Sequence, residues 1–156
     1  MKQIYTWQSQ QYTITTDEKL FDIIAIHSYL THSPWAKGIG LNTVAESISN
    51  SLCFGLFCQQ QQIGFARVIT DGVTFGYLCD VYILNEWQQQ KLGQWLMECC
   101  HNHPIMLRLR RIMLVTSTAS GFYKKVDYHP IDQKNFVWQI FRPNIYQKTI
   151  TQVLVD

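Results

Sequence analysis

The chain has 156 residues, of which 47% are hydrophobic, 13% aromatic and 15% charged. That is the balance of an ordinary globular domain with one sizeable core, and residues 1–156 are read as a single domain. A formal net charge of +2 is too small to make nucleic acid or an anionic membrane the main partner. No apolar run approaches the roughly 20 residues of a membrane span. Met1 to Gln11 is polar and lacks the apolar stretch of a secretory signal. A cytoplasmic location is the resulting expectation.

In chain order, Ile4–Trp7 and Tyr12–Thr16 read as short strands around a polar Gln-Ser-Gln-Gln turn. Asp17 is placed to cap a helix from Glu18 to about Leu30, with Leu20, Ile23, Ile24, His27 and Leu30 at helical spacing. His32-Ser33-Pro34 breaks it, and a glycine-containing loop, Ala36–Gly40, follows. Asn42 or Thr43 then opens a second helix to about Ser49, with Glu46 completing a capping box. Leu52–Cys58, Ile63–Thr70 and Val73–Leu84 are apolar, β-prone runs separated by four glutamines and by Asp71-Gly72, a good hairpin signal.

Leu92–His101 is helical in pattern, Ile112–Thr116 a strand, Ala119–Lys125 a short helix and Phe136–Phe141 a final strand. Ile150–Val155, within the tail 143–156, reads as an extra strand or one exchanged with a partner copy. The order predicts an α/β (α+β) fold with a mixed sheet flanked by helices. The five cysteines, Cys53, Cys58, Cys79, Cys99 and Cys100, are odd in number and sit in apolar segments, so they read as reduced core thiols. They form no C-x-x-C pair, so no metal site is expected.

Several segments, taken together, carry a resemblance. Leu52–Phe57, Ile63–Asp71 and Asp80–Leu84 resemble the second, third and fourth strands of the GNAT N-acetyltransferases. Gln88-Gln89-Gln90-Lys91-Leu92-Gly93 stands where that family carries its [RQ]-x-x-G-x-[GA] signature. Leu114–Thr116 and then Ala119, Gly121, Phe122, Tyr123 and Lys124 resemble its fifth strand and following helix, and Ser33–Gly38 resembles a helix-connecting loop of one bacterial subgroup. The fold implied is a mostly antiparallel GNAT sheet. The activity implied is transfer of an acetyl group from acetyl-CoA to an amine of a small molecule or protein, within a ternary complex and without metal. Family dimers make a homodimer possible.

The chemistry suits those residues. A helix N-terminus offers free amides and partial positive charge to a pyrophosphate. Gln88, Gln89, Gln90, Lys91, Leu92 and Gly93 occupy such a start, with Lys91 replacing the family glycine. By resemblance, backbone at Val81 and Ile83 pairs with pantetheine and Tyr123 is the general acid, since a phenol stays protonated at neutral pH. Asp80 is the first candidate for the base. His32 is the second, and Trp35 on the same loop is placed to wall the acceptor pocket. Arg108, Arg110 and Arg111 read as a solvated rim, with the 3′-phosphate of CoA as the alternative. Asp127 stands where a glycine is usual, and Ser117 and Thr118 replace common Arg and Asp. These departures, with Lys91, motivate an alternative: a catalytically weakened acyl-CoA-binding or protein-interaction module.

Overall fold

The computed structural model describes residues 3–147. Six strands lie in one sheet in sequence order: β1 (Thr6–Ser9), β2 (Tyr12–Thr15), β3 (Leu52–Cys58), β4 (Gln61–Thr70), β5 (Phe75–Ile83) and β6 (Arg111–Met113). The first five are antiparallel, as short turns allow, and β6 joins β5 in parallel. A parallel neighbour requires a crossover, supplied here by α3 (Leu92–His101) and α4 (Pro104–Arg108). The expected mixed sheet flanked by helices is the observed one.

The sheet separates two cores. On one face α1 (Ile23–His32) and α2 (Leu41–Ser49) cover Phe21, Ile26, Leu30, Val44, Ile48, Phe57, Phe65 and Tyr82. On the other, α3, α4 and α5 (Ser120–Lys125) cover Ile14, Phe54, Leu56, Ile63, Val68, Leu96 and Met97. β3 and most of β4 are buried on both faces, which explains their nearly unbroken apolar runs. Each fully buried Phe54, Phe65 or Leu56 contributes roughly 1.5–3 kcal/mol.

Several elements differ from the sequence reading. The helix expected from Glu18 is interrupted. Asp17 caps only a turn over Glu18–Leu20, Phe21 is extended, and Asp22 caps α1 by accepting from the Ala25 amide at 2.9 Å. Burial of the Phe21 ring, edge-on to Phe65 at 5.8 Å, outweighs local helix propensity. The second helix starts at Leu41 with Gly40 as its cap, so the Thr43–Glu46 box does not form. Phe136–Phe141 forms no strand, and Trp138 and Ile140 in it are about 85% exposed. β propensity needs a partner edge to act on, and β6 presents only three residues. The Ile150–Val155 segment lies outside the described residues.

Helix α4 was not expected. His103 caps it, accepting from the Ile105 amide at Nδ1 (3.1 Å), with Pro104 in the first turn. Its ring is buried edge-to-face against Tyr5 (4.6 Å) and Phe54 (5.7 Å). A ring that accepts at Nδ1 carries its proton on Nε2. That Nε2 is buried with no hydrogen-bond partner among the described residues.

Burial, aided by the nearby Arg108 charge, lowers the His103 pKa, and burial lowers that of His101 against the opposing pull of Asp127. A histidine depressed in the folded state is protonated more readily by the unfolded chain. Its stabilising contribution is therefore complete above the ordinary value near 6.5 and is lost as pH falls through it. Urea denaturation should show a constant midpoint above about pH 7 and a falling one below about 6.5. A midpoint unchanged down to about pH 5.5 would contradict the assignment.

Candidate active site

β5 pairs with β4 along most of its length, but with β6 only at Phe75, Gly76 and Tyr77. From Leu78 to Ile83 its outer edge has no strand beside it among the described residues. The Leu84 amide donates to the Ile63 carbonyl on β4 at 2.8 Å. Successive residues of a strand alternate in direction, so Val81 and Ile83 turn their backbone N–H and C=O toward the unpaired edge. The Gln88 side-chain amide takes up the Ile83 carbonyl at 3.0 Å.

The open edge leads into the start of α3. Gln89 (φ +62°) and Lys91 (φ +61°) are both left-handed, and such alternation of hand turns successive amides to one side as an anion-binding concavity. Lys91 is the N-cap and makes no side-chain cap. The first intrahelical bond runs from the Trp95 amide to the Lys91 carbonyl at 3.1 Å. Leu92, Gly93 and Gln94 therefore have no helical acceptor for their amides. The loop is fastened from the sheet side: the Tyr12 hydroxyl donates to Gln90 Oε1 at 3.1 Å, and Tyr12 meets Trp87 edge-on at 6.2 Å. A Cβ on Gly93 would touch Phe122 at 3.4 Å and Ile83 at 3.8 Å, so loop, open edge and α5 converge there.

Tyr123 stands on α5, half-buried against Phe122 (5.1 Å) and Tyr128 (5.7 Å). Its hydroxyl has no hydrogen-bond partner among the described residues. Burial, and then the Cys100 and Cys79 thiols, push its pKa above the ordinary value, so it remains a proton donor at neutral pH. The chain after α5 turns at Asp127 (φ +71°). The Tyr128 hydroxyl and His101 Nε2 share a hydrogen bond of 3.0 Å.

A bulge bends β5 between these parts. The register passes from Phe65 opposite Tyr82 to Arg67 opposite Cys79, giving β5 one extra residue there. Asp80 is left-handed (φ +52°) and buried. Its Oδ2 accepts from Arg67 Nε at 2.7 Å and its Oδ1 from Trp35 Nε1 at 3.1 Å. Arg67 also donates to Ser51 Oγ at 3.1 Å. Beside it the Cys79 thiol is pushed up to about 12, chiefly by burial, which makes it a poor nucleophile.

On the α1 side, Tyr29 stacks on Tyr82 with centroids 3.8 Å apart. His32 donates from Nδ1 to the Ser28 carbonyl at 2.8 Å, which leaves the neutral ring its Nε2 lone pair. Ser28, Tyr29, His32 and Ser33, with Leu84 and Asn85 beyond β5, line a cleft of about 490 Å³.

The sequence-predicted residues thus fall into three groups: Val81, Ile83 and the Gln88–Gly93 loop along one continuous edge, Tyr123 on the α3 face, and Asp80 with Trp35 and His32 toward the α1–α2 face. Arg67, Tyr29 and the bulge were missed. Arg67 had no usable signal, because a two-residue Asp71-Gly72 turn would set it opposite Gly76, whereas the observed register sets it opposite Cys79, next to the bulge. The arginine run stands apart. Arg111 pairs with Phe75 at the far end of β5 from the loop and lies over the Phe136 ring at 5.6 Å.

Residues 49–130 match the acetyltransferase (GNAT) domain family. A protein of Gibberella zeae carrying an acetyltransferase name is 32% identical over 154 residues, covering 81% of this chain and 85% of its own. This chain belongs to the GNAT acetyltransferases. A crystal structure of a GNAT-family protein from Xanthomonas campestris pv. campestris is 37% identical with a TM-score of 0.86, covering 90% of this chain and all of that one. A Staphylococcus aureus structure at 23% identity and a TM-score of 0.67 shares the fold, over 84% of this chain and 99% of that one.

GNAT enzymes take acetyl-CoA as co-substrate and act on amines. Lys91, at the position where the resemblance places a glycine, is itself left-handed, at a cost of about 1–2 kcal/mol. Lys91→Gly should raise the unfolding free energy by about 1 kcal/mol, measured by urea denaturation without ligand. Unchanged or lower stability would show that the turn carries no strain.

Proposed function

We propose that this GNAT protein transfers the acetyl group of acetyl-CoA to an amine, by direct attack within a ternary complex. The unpaired edge of β5 running into the uncapped start of α3 carries this reading. Val81 and Ile83 offer strand backbone to an extended pantetheine arm, and Gln88, Gln89, Gln90, Lys91, Leu92 and Gly93 form the cradle for a pyrophosphate. When bound, the co-substrate supplies an activated acyl thioester.

Tyr123 is the general acid. Its free, protonated hydroxyl donates to the departing thiolate sulfur. Removing the proton of the acceptor ammonium falls to His32, directly or through water, because it lines the cleft and its Nδ1 bond to Ser28 leaves the other ring nitrogen available. Asp80 is the other candidate for the base, although each of its oxygens already accepts a bond. Trp35 walls the acceptor side. The cleft of about 490 Å³ beside His32 gives the amine of a small molecule or a protein room to approach. With Cys79 held protonated, transfer through an acyl-cysteine has no support here.

Calorimetric titration with acetyl-CoA should show micromolar binding, and an amine screen with the bound protein should show turnover. Absence of binding at millimolar acetyl-CoA would overturn the enzyme reading in favour of a weakened interaction module. Tyr123→Phe should lower turnover roughly 10²-fold with little change in acetyl-CoA affinity; unaltered turnover removes it from the mechanism. His32→Gln should lower kcat/KM roughly 10²-fold with little change in acetyl-CoA affinity. If Asp80→Asn does so instead, Asp80 is the base.

A further inference from the structure

The left-handed bulge residue Asp80 sends its two carboxylate oxygens in different directions. Oδ2 meets Arg67 Nε at 2.7 Å, and Oδ1 meets the Trp35 indole N–H at 3.1 Å. Arg67 is anchored in turn by Ser51 at the entry to β3, at 3.1 Å. A continuous chain of bonds, Ser51–Arg67–Asp80–Trp35, therefore joins the sheet to the loop between α1 and α2. The Arg67–Asp80 end is sheltered, with side chains 15% and 9% exposed. The Trp35 end is 51% exposed, and its one ring contact among the described residues is a tilted one with Tyr29 at 6.3 Å. Packing alone gives a half-exposed tryptophan little reason to keep one pose, and a bond from its polar handle to a carboxylate does.

We propose that Arg67 and Trp35 are positioning residues for the transfer. Arg67 holds the Asp80 carboxylate in the bulge, and Asp80 fastens the Trp35 indole. The fastened loop then closes the acceptor side of the bulge against water. The functional half of this inference rests on the acetyl-transfer reading; the bonding half stands without it. Water is the competing nucleophile in such a site. In that side reaction the water oxygen forms a new C–O bond to the acyl carbon and the C–S bond breaks. One water proton goes to the CoA sulfur, and the acetic acid formed releases the other.

Two variants probe the clasp with little disturbance. Trp35→Phe keeps an aromatic ring and removes the N–H. Arg67→Lys keeps the charge and removes the fork that reaches Asp80 and Ser51 together. In a nitrogen-15 spectrum without ligand, Trp35→Phe identifies one of the five indole signals by its loss. Arg67→Lys should shift that signal and leave the other four in place; an unmoved signal overturns the clasp.

Acceptor-free release of CoA from acetyl-CoA, followed with a thiol reagent, should then rise several-fold in both variants. The acetyl-CoA Kd should stay within about twofold, a separation that general destabilisation would not produce. Unchanged release, or Kd weakening in step with it, overturns the positioning role. Failure of the parent protein to bind acetyl-CoA would sink the transfer reading and the gating role together, while the indole signal still decides the clasp.

Discussion

Backbone donors and acceptors inside a sheet need partners on both edges of each strand, and among the described residues β5 beyond Tyr77 has a strand on one edge only. Extending β6 would fill that edge, but β6 ends at Met113. The chain then turns through Thr116, whose hydroxyl accepts from the Ala119 amide at 3.0 Å, into α5. The parting of the two strands and the placement of Tyr123 are consequences of one event, the early end of β6. A ligand with a peptide-like arm meets that edge on strand terms, through hydrogen bonds that demand no particular side chain at Val81 or Ile83.

The two cores divide the chemistry between them. Helices α3 and α5 pack on one face, with the Gln88–Gly93 loop at the start of α3 and Tyr123 packed against that core. Helices α1 and α2 pack on the other and bring His32 and Trp35. The bulge is where the faces communicate. It turns Asp80 toward the α1–α2 loop, while Val81 and Ile83 after it stay packed against the α3-side core. Tyr29 and Tyr82 support that junction from below by stacking.

Much of this was legible in the residues. The long apolar runs of β3 to β5, the Asp71-Gly72 turn and the α3 pattern are local signals that tertiary packing reinforces. The Gln88–Gly93 loop was legible because a strand, a polar loop and a helix start follow one another. The rest depends on contacts between distant segments. Phe21 breaks a helix because a pocket beside Phe65 takes its ring. The bulge at Asp80 inserts one residue with no compositional mark, so the Arg67 and Trp35 bonds could not be read from spacing. Phe136–Phe141 looks like a strand by composition but pairs with no strand among the described residues, and α4 hides behind a histidine cap that resembles a loop residue.

Lys91 also has an electrostatic aspect. The residue itself caps the positive end of the α3 dipole, which disfavours a cationic side chain there, and its backbone is in a conformation side chains avoid. Both terms oppose the fold until an anion arrives, and a polyanion relieves the first directly. Under the proposed acetyl-CoA reading, part of the binding energy is stored as local frustration. The lifetime against proteolysis should then track the supply of acetyl-CoA, and ionic strength should tune that dependence more steeply than it tunes the packing of the two cores.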